Sequence, residues 1–118
     1  MKIRVMALVC ALLVSPAYAH GLCDGIHRCR CGSTQAHHFG LPRIFKGHNL
    51  WQASEWLRAF PRTTAHAGVV MYQRGGGPTG HVSRLVSEPV GCKAMVADDA
   101  GRYERNICQR GARFVSVQ

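Results

Sequence analysis

The sequence predicts an α+β domain, in which N-terminal helices pack on a small antiparallel β-sheet and disulfide bonds add stability. Helical patterns interrupted by proline and glycine fill the first half of the chain. Short apolar runs separated by glycine-rich turns fill the second half. Cysteine is frequent for a chain of 118 residues, and a domain of this size has a core small enough to benefit from cross-links.

Residues 1–19 have the three parts of a secretory signal peptide. A basic start precedes an apolar run over 5–14, and residues 17–19 (Ala-Tyr-Ala) have the small-x-small form that signal peptidase cleaves. The run is too short to cross a bilayer. We therefore expect export to the periplasm or beyond the cell, no membrane anchor, and a single mature domain over 20–118.

Two helices are predicted in the first half of the domain. Residues 31–38 contain no proline and precede a Gly-Leu-Pro breaker at 40–42. Asn49 is a good N-cap for a second helix, which Pro61 ends. Four apolar side chains at helical spacing predict its buried face: Leu50, Ala53, Leu57 and Phe60.

Four strands are predicted in the second half. They cover 67–73, 81–86, 93–97 and 113–117. The order, helices first and strands after them, favours an antiparallel meander with the helices on one face. The Gly-rich turn before the second strand lacks the Gly-Lys-Ser/Thr sequence of a phosphate loop.

The chain is strongly basic, with a formal net charge of +9 at pH 7. Its lysines and arginines are scattered, and they do not alternate with aromatic residues as they do in single-strand nucleic-acid binders. This distribution indicates a general attraction to an anionic polymer. We expect peptidoglycan or another anionic cell-envelope polymer as the partner, no nucleic acid, and a monomer.

Five cysteines follow the predicted signal peptide: Cys23, Cys29, Cys31, Cys92 and Cys108. An odd number leaves one thiol unpaired in an oxidising compartment. Cys92 and Cys108 flank one compact segment and are plausible partners, and Cys23 with Cys29 would close a small loop. This pattern leaves Cys31 free, although spacing alone leaves other connectivities open.

The Cys- and His-rich segment 23–38 raises a zinc site as an alternative. Its spacings do not match the paired ligand sets of structural zinc sites, and export favours disulfides. We therefore expect no metal and no cofactor.

Cys31 stands where the first helix begins, and His81 stands where the second predicted strand begins. The positive end of a helix favours a thiolate, and an imidazole can accept the thiol proton. Asp98 and Asp99 close the next strand, and alternation places only one of them on the side of His81. That carboxylate would hold the imidazole in one tautomer. Together these residues indicate a cysteine hydrolase.

The order of these motifs resembles the CHAP branch of the NlpC/P60 cysteine peptidase superfamily. The resemblance spans about residues 29–117 and rests on four segments: Cys31-Gly32, Ala67–Met71, Gly80–Val86 and Asp98-Asp99. It implies a papain-like core and hydrolysis of amide bonds in peptidoglycan by an amidase or endopeptidase.

The resemblance also assigns roles to the candidate residues. Cys31 would be the nucleophile, and His81 would be the base and later the acid that protonates the leaving amine. Asp98 would orient the imidazole, with Asp99 as the alternative. Backbone N–H groups near Cys31 would form the oxyanion hole.

Two alternatives to a constitutive enzyme remain open from the sequence. Ser33-Thr34 follows the cysteine where many family members have an aromatic residue, and Val69 stands where an acidic residue is common. These departures favour a non-catalytic, disulfide-stabilised secreted binding module on the same fold. A third hypothesis is redox gating, in which Cys23 or Cys29 pairs reversibly with Cys31.

Overall fold

The computed structural model describes residues 31–75 and 79–117. The predicted signal peptide and the predicted Cys23–Cys29 pair lie outside these residues. Within the described part of the chain, no helix is both long enough and apolar enough to cross a membrane.

The predicted α+β class is confirmed, with few helices and a six-stranded antiparallel sheet. A short 3₁₀ helix over Ala53–Glu55 runs into the second α-helix. The helices and strands are α1 Cys31–His38, β1 Ile44–Phe45, β2 His48–Asn49, α2 Trp56–Ala59, β3 Arg62–Thr63, β4 Val70–Gln73, β5 His81–Leu85, β6 Lys93–Asp98, β7 Gly101–Asn106 and β8 Arg113–Val115.

The strand order of the main sheet is β3-β8-β4-β5-β6-β7, whereas β1 and β2 form a separate hairpin. Strands β4, β5 and β6 form the predicted meander, and β7, which the sequence did not predict, extends it. The prediction of a meander is wrong for the last strand, because β8 returns to pair with β4, with Val70 opposite Val115. A four-stranded meander leaves the outer edge of β4 without hydrogen-bond partners, and β8 supplies them.

The predicted second helix over 49–60 is wrong in its first turn. Asn49 belongs to β2, and its side-chain oxygen accepts a hydrogen bond from the backbone N–H of Trp51 at 3.1 Å. An N-cap makes the same type of bond, but the pairing of Asn49 with Ile44 in the β1–β2 hairpin keeps Asn49 in a strand. The helical region therefore begins at Ala53, although the predicted apolar face is still directed into the core.

The main sheet carries an apolar cluster on each face. One cluster joins the sheet to the helices and contains Ala36, Leu50, Ala53, Trp56, Phe60, Val70, Val82 and Val115. The other covers the opposite face and contains Val69, Met71, Leu85, Ala94, Val96 and Ile107. Strand alternation assigns successive residues to opposite faces, so Val82 and Leu85 of β5 belong to different clusters.

The first turn of α1 is pressed against the chain that leads into the 3₁₀ helix. A Cβ atom on Gly32 would overlap the backbone carbonyl oxygen of Leu50, so only glycine fits there. That carbonyl accepts a hydrogen bond from the indole Nε1 of the fully buried Trp56 at 2.7 Å. The buried Trp56 therefore fixes the backbone at Leu50, against which the first turn of α1 packs.

The predicted pairing of Cys92 with Cys108 is confirmed. The two cysteines flank the β6–β7 hairpin at its open end, where the backbone N–H of Ile107 also donates to the carbonyl of Cys92. The disulfide therefore ties the edge strand β7 to β6.

Candidate active site

Cys31 is the first residue of α1 and a free thiol. Its sulfur accepts a hydrogen bond from the backbone N–H of Val82 at 3.3 Å, across 51 positions of sequence. The first N–H groups of a helix have no partner within the helix and carry its positive dipole end. The sulfur is thus partly buried, fixed to β5, and beside a set of backbone donors.

His81 is the first residue of β5, and the next residue, Val82, is the one whose backbone N–H contacts the sulfur of Cys31. The Nε2–H of His81 donates to Oδ2 of Asp98 at 2.8 Å. Because Nε2 is engaged there, Nδ1 is the ring nitrogen available to the sulfur. The Cys31 side chain interacts with this ring and helps to raise the pKa of His81.

Asp98 is the last residue of β6, and its side chain is almost wholly buried, with 1% exposed. Oδ2 also accepts a hydrogen bond from the hydroxyl of Tyr103 at 2.5 Å, and Oδ1 accepts one from the backbone N–H of Ala100 at 2.8 Å. Both carboxylate oxygens are therefore bonded, which satisfies a buried charge.

The hydrogen bonds set the charge of this pair. The bond to Asp98, and next the bond to Cys31, raise the pKa of His81 to about 9. Burial alone would raise the pKa of Asp98, but the hydrogen bonds from His81, Tyr103 and Ala100 together lower it. At neutral pH the site therefore holds an imidazolium next to a carboxylate, and the sulfur of Cys31 contacts the same ring.

Two polar side chains of β7, Tyr103 and Arg105, belong to a hydrogen-bond network that reaches Asp98. Burial, and then the contact with Asp98, raise the pKa of Tyr103. Arg105 Nη1 donates to the Tyr103 hydroxyl at 3.2 Å, and Arg105 Nε donates to the side chain of Gln73. Gln73 in turn donates to Gln109. This network keeps the Tyr103 hydroxyl directed at the carboxylate.

The sequence prediction did not include Tyr103 or Arg105, because the strand Gly101–Asn106 was not recognised. Its sequence, GRYERN, is too polar for the usual strand signals. In the structure, partly buried Tyr103 and Arg105 alternate with exposed neighbours, a pattern that the sequence does not show because both faces of the strand carry polar residues.

The structure distinguishes the two aspartates at the end of β6. Asp98 contacts His81, whereas Asp99 lies in the following turn with its side chain exposed. One ligand atom from each of these three residues lies within 4.8 Å of the others, a spacing that a metal ion can bridge. The oxygens of Asp98 are already engaged by other donors, so the geometry favours a hydrogen-bonded pair.

Two concave surfaces adjoin the site and share Arg74. A cavity of about 260 Å³ is lined by His81, Asp98, Tyr103 and Arg74, among others. A groove of about 480 Å³ is lined by Leu57, Tyr72, Arg74, Arg110, Gly111 and Arg113. The side chain of Tyr72 also lies against Gly80, where a Cβ atom would overlap the ring. Tyr72 therefore connects the basic groove with Gly80, the residue that precedes the candidate histidine.

Comparison of the chain with protein-family models, with curated proteins and with solved structures found no match.

Proposed function

We propose that this protein is an exported cysteine hydrolase that cleaves amide bonds in peptidoglycan, as an amidase or endopeptidase. The observation that carries the proposal is the position of the His81 ring between the thiol of Cys31 and the buried carboxylate of Asp98. A nucleophile, a base and a group that orients the base are the three parts that acyl transfer requires.

The reaction follows from this arrangement. The proton of the Cys31 thiol resides on His81, whose pKa of about 9 keeps it an imidazolium at neutral pH, and the sulfur attacks the carbonyl carbon of the amide as a thiolate. Backbone N–H groups at the start of α1 stabilise the oxyanion, and the imidazolium gives its proton to the leaving amine. Water then attacks the thioester while His81 accepts its proton, which releases the carboxylic acid and restores the thiolate of Cys31 beside the imidazolium of His81.

The arrangement of helix and sheet supports a papain-like core as part of the proposal. The helix that begins with the nucleophile packs on β5 and β6, the two strands that supply His81 and Asp98. A cysteine at a helix N-terminus and a histidine on the facing sheet are the elements on which the resemblance to the CHAP branch rests.

The choice of peptidoglycan rests on the predicted export, the net charge of +9 and the basic groove. Arg74, Arg110 and Arg113 line this groove, and within the described part of the chain none of them pairs with a carboxylate. Unpaired arginines attract the carboxylates of an anionic polymer toward the cavity beside His81.

The test is release of soluble fragments from purified peptidoglycan, with and without a mild reductant. We expect release by the wild-type protein, none by Cys31→Ser, and at least a hundredfold less by His81→Gln. His66→Gln is the matched control, since His66 is exposed and its ring hydrogen-bonds to the carbonyl of Ala67.

The same experiment separates the alternatives. Absence of release by a folded protein under both conditions would contradict the hydrolase. Unchanged co-sedimentation of Cys31→Ser with peptidoglycan would then favour the binding module. Release that requires the reductant would support redox gating of Cys31 by Cys23 or Cys29.

A further inference from the structure

Two arginines lie on one row of the sheet, on the face covered by α1. Arg84 of β5 pairs with Ala97 of β6, and Ala97 pairs with Arg102 of β7. Neighbouring strands are about 4.8 Å apart, so the Cα atoms of the two arginines are separated by roughly 10 Å. The methyl side chain of Ala97 leaves a notch between two long cationic side chains.

A buried amide holds one of these arginines in place. Gln35 of α1 is fully buried, and its Nε2 donates to the carbonyl of Ala97 at 2.8 Å. Its Oε1 accepts a hydrogen bond from Arg84 Nη1 at 3.2 Å. Arg84 is therefore positioned by a neutral group that uses only one of its donors, and its charge is not neutralised by this contact.

The last turn of α1 adds two histidines to this surface. His37 and His38 line a cavity of about 290 Å³ together with Gln35, Arg84, Ala97 and Arg102. Burial and the charge of Arg102 lower the pKa of Arg84. Burial, Arg84, Arg102 and His37 lower the pKa of His38. Burial is the larger cause of both shifts, and the contribution of Arg102 to each reflects how close its guanidinium lies to Arg84 and His38.

The nearest carboxylate does not neutralise this charge. Asp98 also lines the cavity, but its side chain is on the opposite face of the sheet from Ala97, as strand alternation requires. There its oxygens bind His81, Tyr103 and Ala100. Within the described part of the chain, neither Arg84 nor Arg102 forms an ion pair.

We propose that this cavity is a binding site for a carboxylate or phosphate group, which the guanidinium groups of Arg84 and Arg102 hold above Ala97. Guanidinium groups present paired donors that match the oxygens of both anions. The volume of 290 Å³ exceeds that of a single oxyanion, so the group belongs to a larger molecule. The site does not depend on catalysis by Cys31.

The probe is inorganic phosphate, added to the purified protein and followed by NMR of backbone amides and arginine side chains. Ionic strength is held constant with sodium chloride, because the chain attracts every anion through its net charge of +9. We expect saturable shifts at Gln35, Arg84, Ala97 and Arg102. A parallel titration with acetate tests whether a carboxylate gives the same shifts.

Arg102→Gln is the first variant, because Arg102 is exposed and its replacement leaves the core intact. We expect phosphate binding to weaken about tenfold or more, the effect of losing one charge-assisted contact. Arg58→Gln is the matched control, since it removes the same charge from an exposed site on α2. An equal loss in both variants would overturn the proposal.

The two titrations also identify the source of the anion. Saturation by phosphate alone indicates a phosphorylated ligand, and saturation by acetate alone indicates a carboxylate-bearing one. Saturation by both identifies a general oxyanion site. Shifts that stay linear in both titrations, or that occur equally far from this cavity, would overturn the proposal. Failure of peptidoglycan cleavage would leave these results unaffected.

Discussion

Gly32 lies so close to the carbonyl oxygen of Leu50 that the position has no room for a Cβ atom. The indole of Trp56 bonds the same carbonyl, so this oxygen cannot move away without breaking a buried hydrogen bond. The contact sets the distance between α1 and the backbone at Leu50, and thereby the position of Cys31. It connects a sequence feature next to the nucleophile with a core tryptophan.

We expect Gly32→Ala to lower the free energy of unfolding by about 1–3 kcal/mol, the usual cost of overpacking. The sulfur of Cys31 should also lose its bond to the N–H of Val82, which would alter the rate of alkylation by iodoacetamide. Urea unfolding and the alkylation rate measure the two effects. His37→Ala on the exposed side of α1 serves as the control, and equal behaviour of both variants would contradict the steric explanation.

The charge state of His81 is the second prediction. We expect its imidazole to titrate with a pKa of about 9, raised from 6.5 by Asp98 and then by Cys31. Asp98→Asn should lower this pKa because it removes the largest cause. NMR of the ring nitrogens measures the titration directly. Titration near 6.5 in both proteins would show that the buried pair does not form.

The raised pKa of His81 also predicts a pH dependence of stability. The folded protein holds the proton more tightly than the unfolded chain, so the contribution is complete below pH 6.5 and is lost as pH rises through about 9. Urea unfolding on both sides of this window should show a larger loss for wild-type protein than for His81→Gln. If both proteins lose the same free energy of unfolding, the pH dependence comes from groups other than His81.

Local signals in the sequence singled out three residues that the structure brings together. The thiol at a helix start and the histidine at a strand start depend on local signals, and the structure brings Cys31, His81 and Asp98 together. Their catalytic roles remain a prediction. The choice of Asp98 over Asp99 rested on the spacing in the family that the chain resembles, because alternation alone leaves open which of the two faces His81.

The errors in the fold prediction arose where tertiary contacts override local pattern. Asn49 has the properties of a helix N-cap, but pairing within the β1–β2 hairpin places it in a strand. The polar strand Gly101–Asn106 is held by its pairing with β6, which local propensity does not report. The residues missed there, Tyr103 and Arg102, belong to the candidate site and to the proposed anion site.

Tyr103 provides the fourth prediction. Its hydroxyl donates to Asp98, and this bond helps to lower the pKa of that carboxyl. We therefore expect Tyr103→Phe to raise the pKa of Asp98 and to reduce peptidoglycan cleavage less than His81→Gln does. Carbon-13 NMR of the carboxyl group measures the pKa. Tyr72→Phe is the control, because the Tyr72 ring lies against Gly80 and not against Asp98.

The disulfide provides the last prediction, because β7 is an edge strand and carries both Tyr103 and Arg102. Cys92 and Cys108 are 16 positions apart, and releasing a loop of this length costs about 3 kcal/mol of stability. We expect the double variant Cys92→Ser, Cys108→Ser to show this loss, with hydrogen exchange accelerating first in β7. Exchange that accelerates uniformly through β4 and β5 would contradict a local role. Where β7 separates from β6, Asp98 loses the Tyr103 hydroxyl and Arg84 loses its facing arginine, so the pKa of Asp98 should rise and phosphate binding should weaken in the same variant.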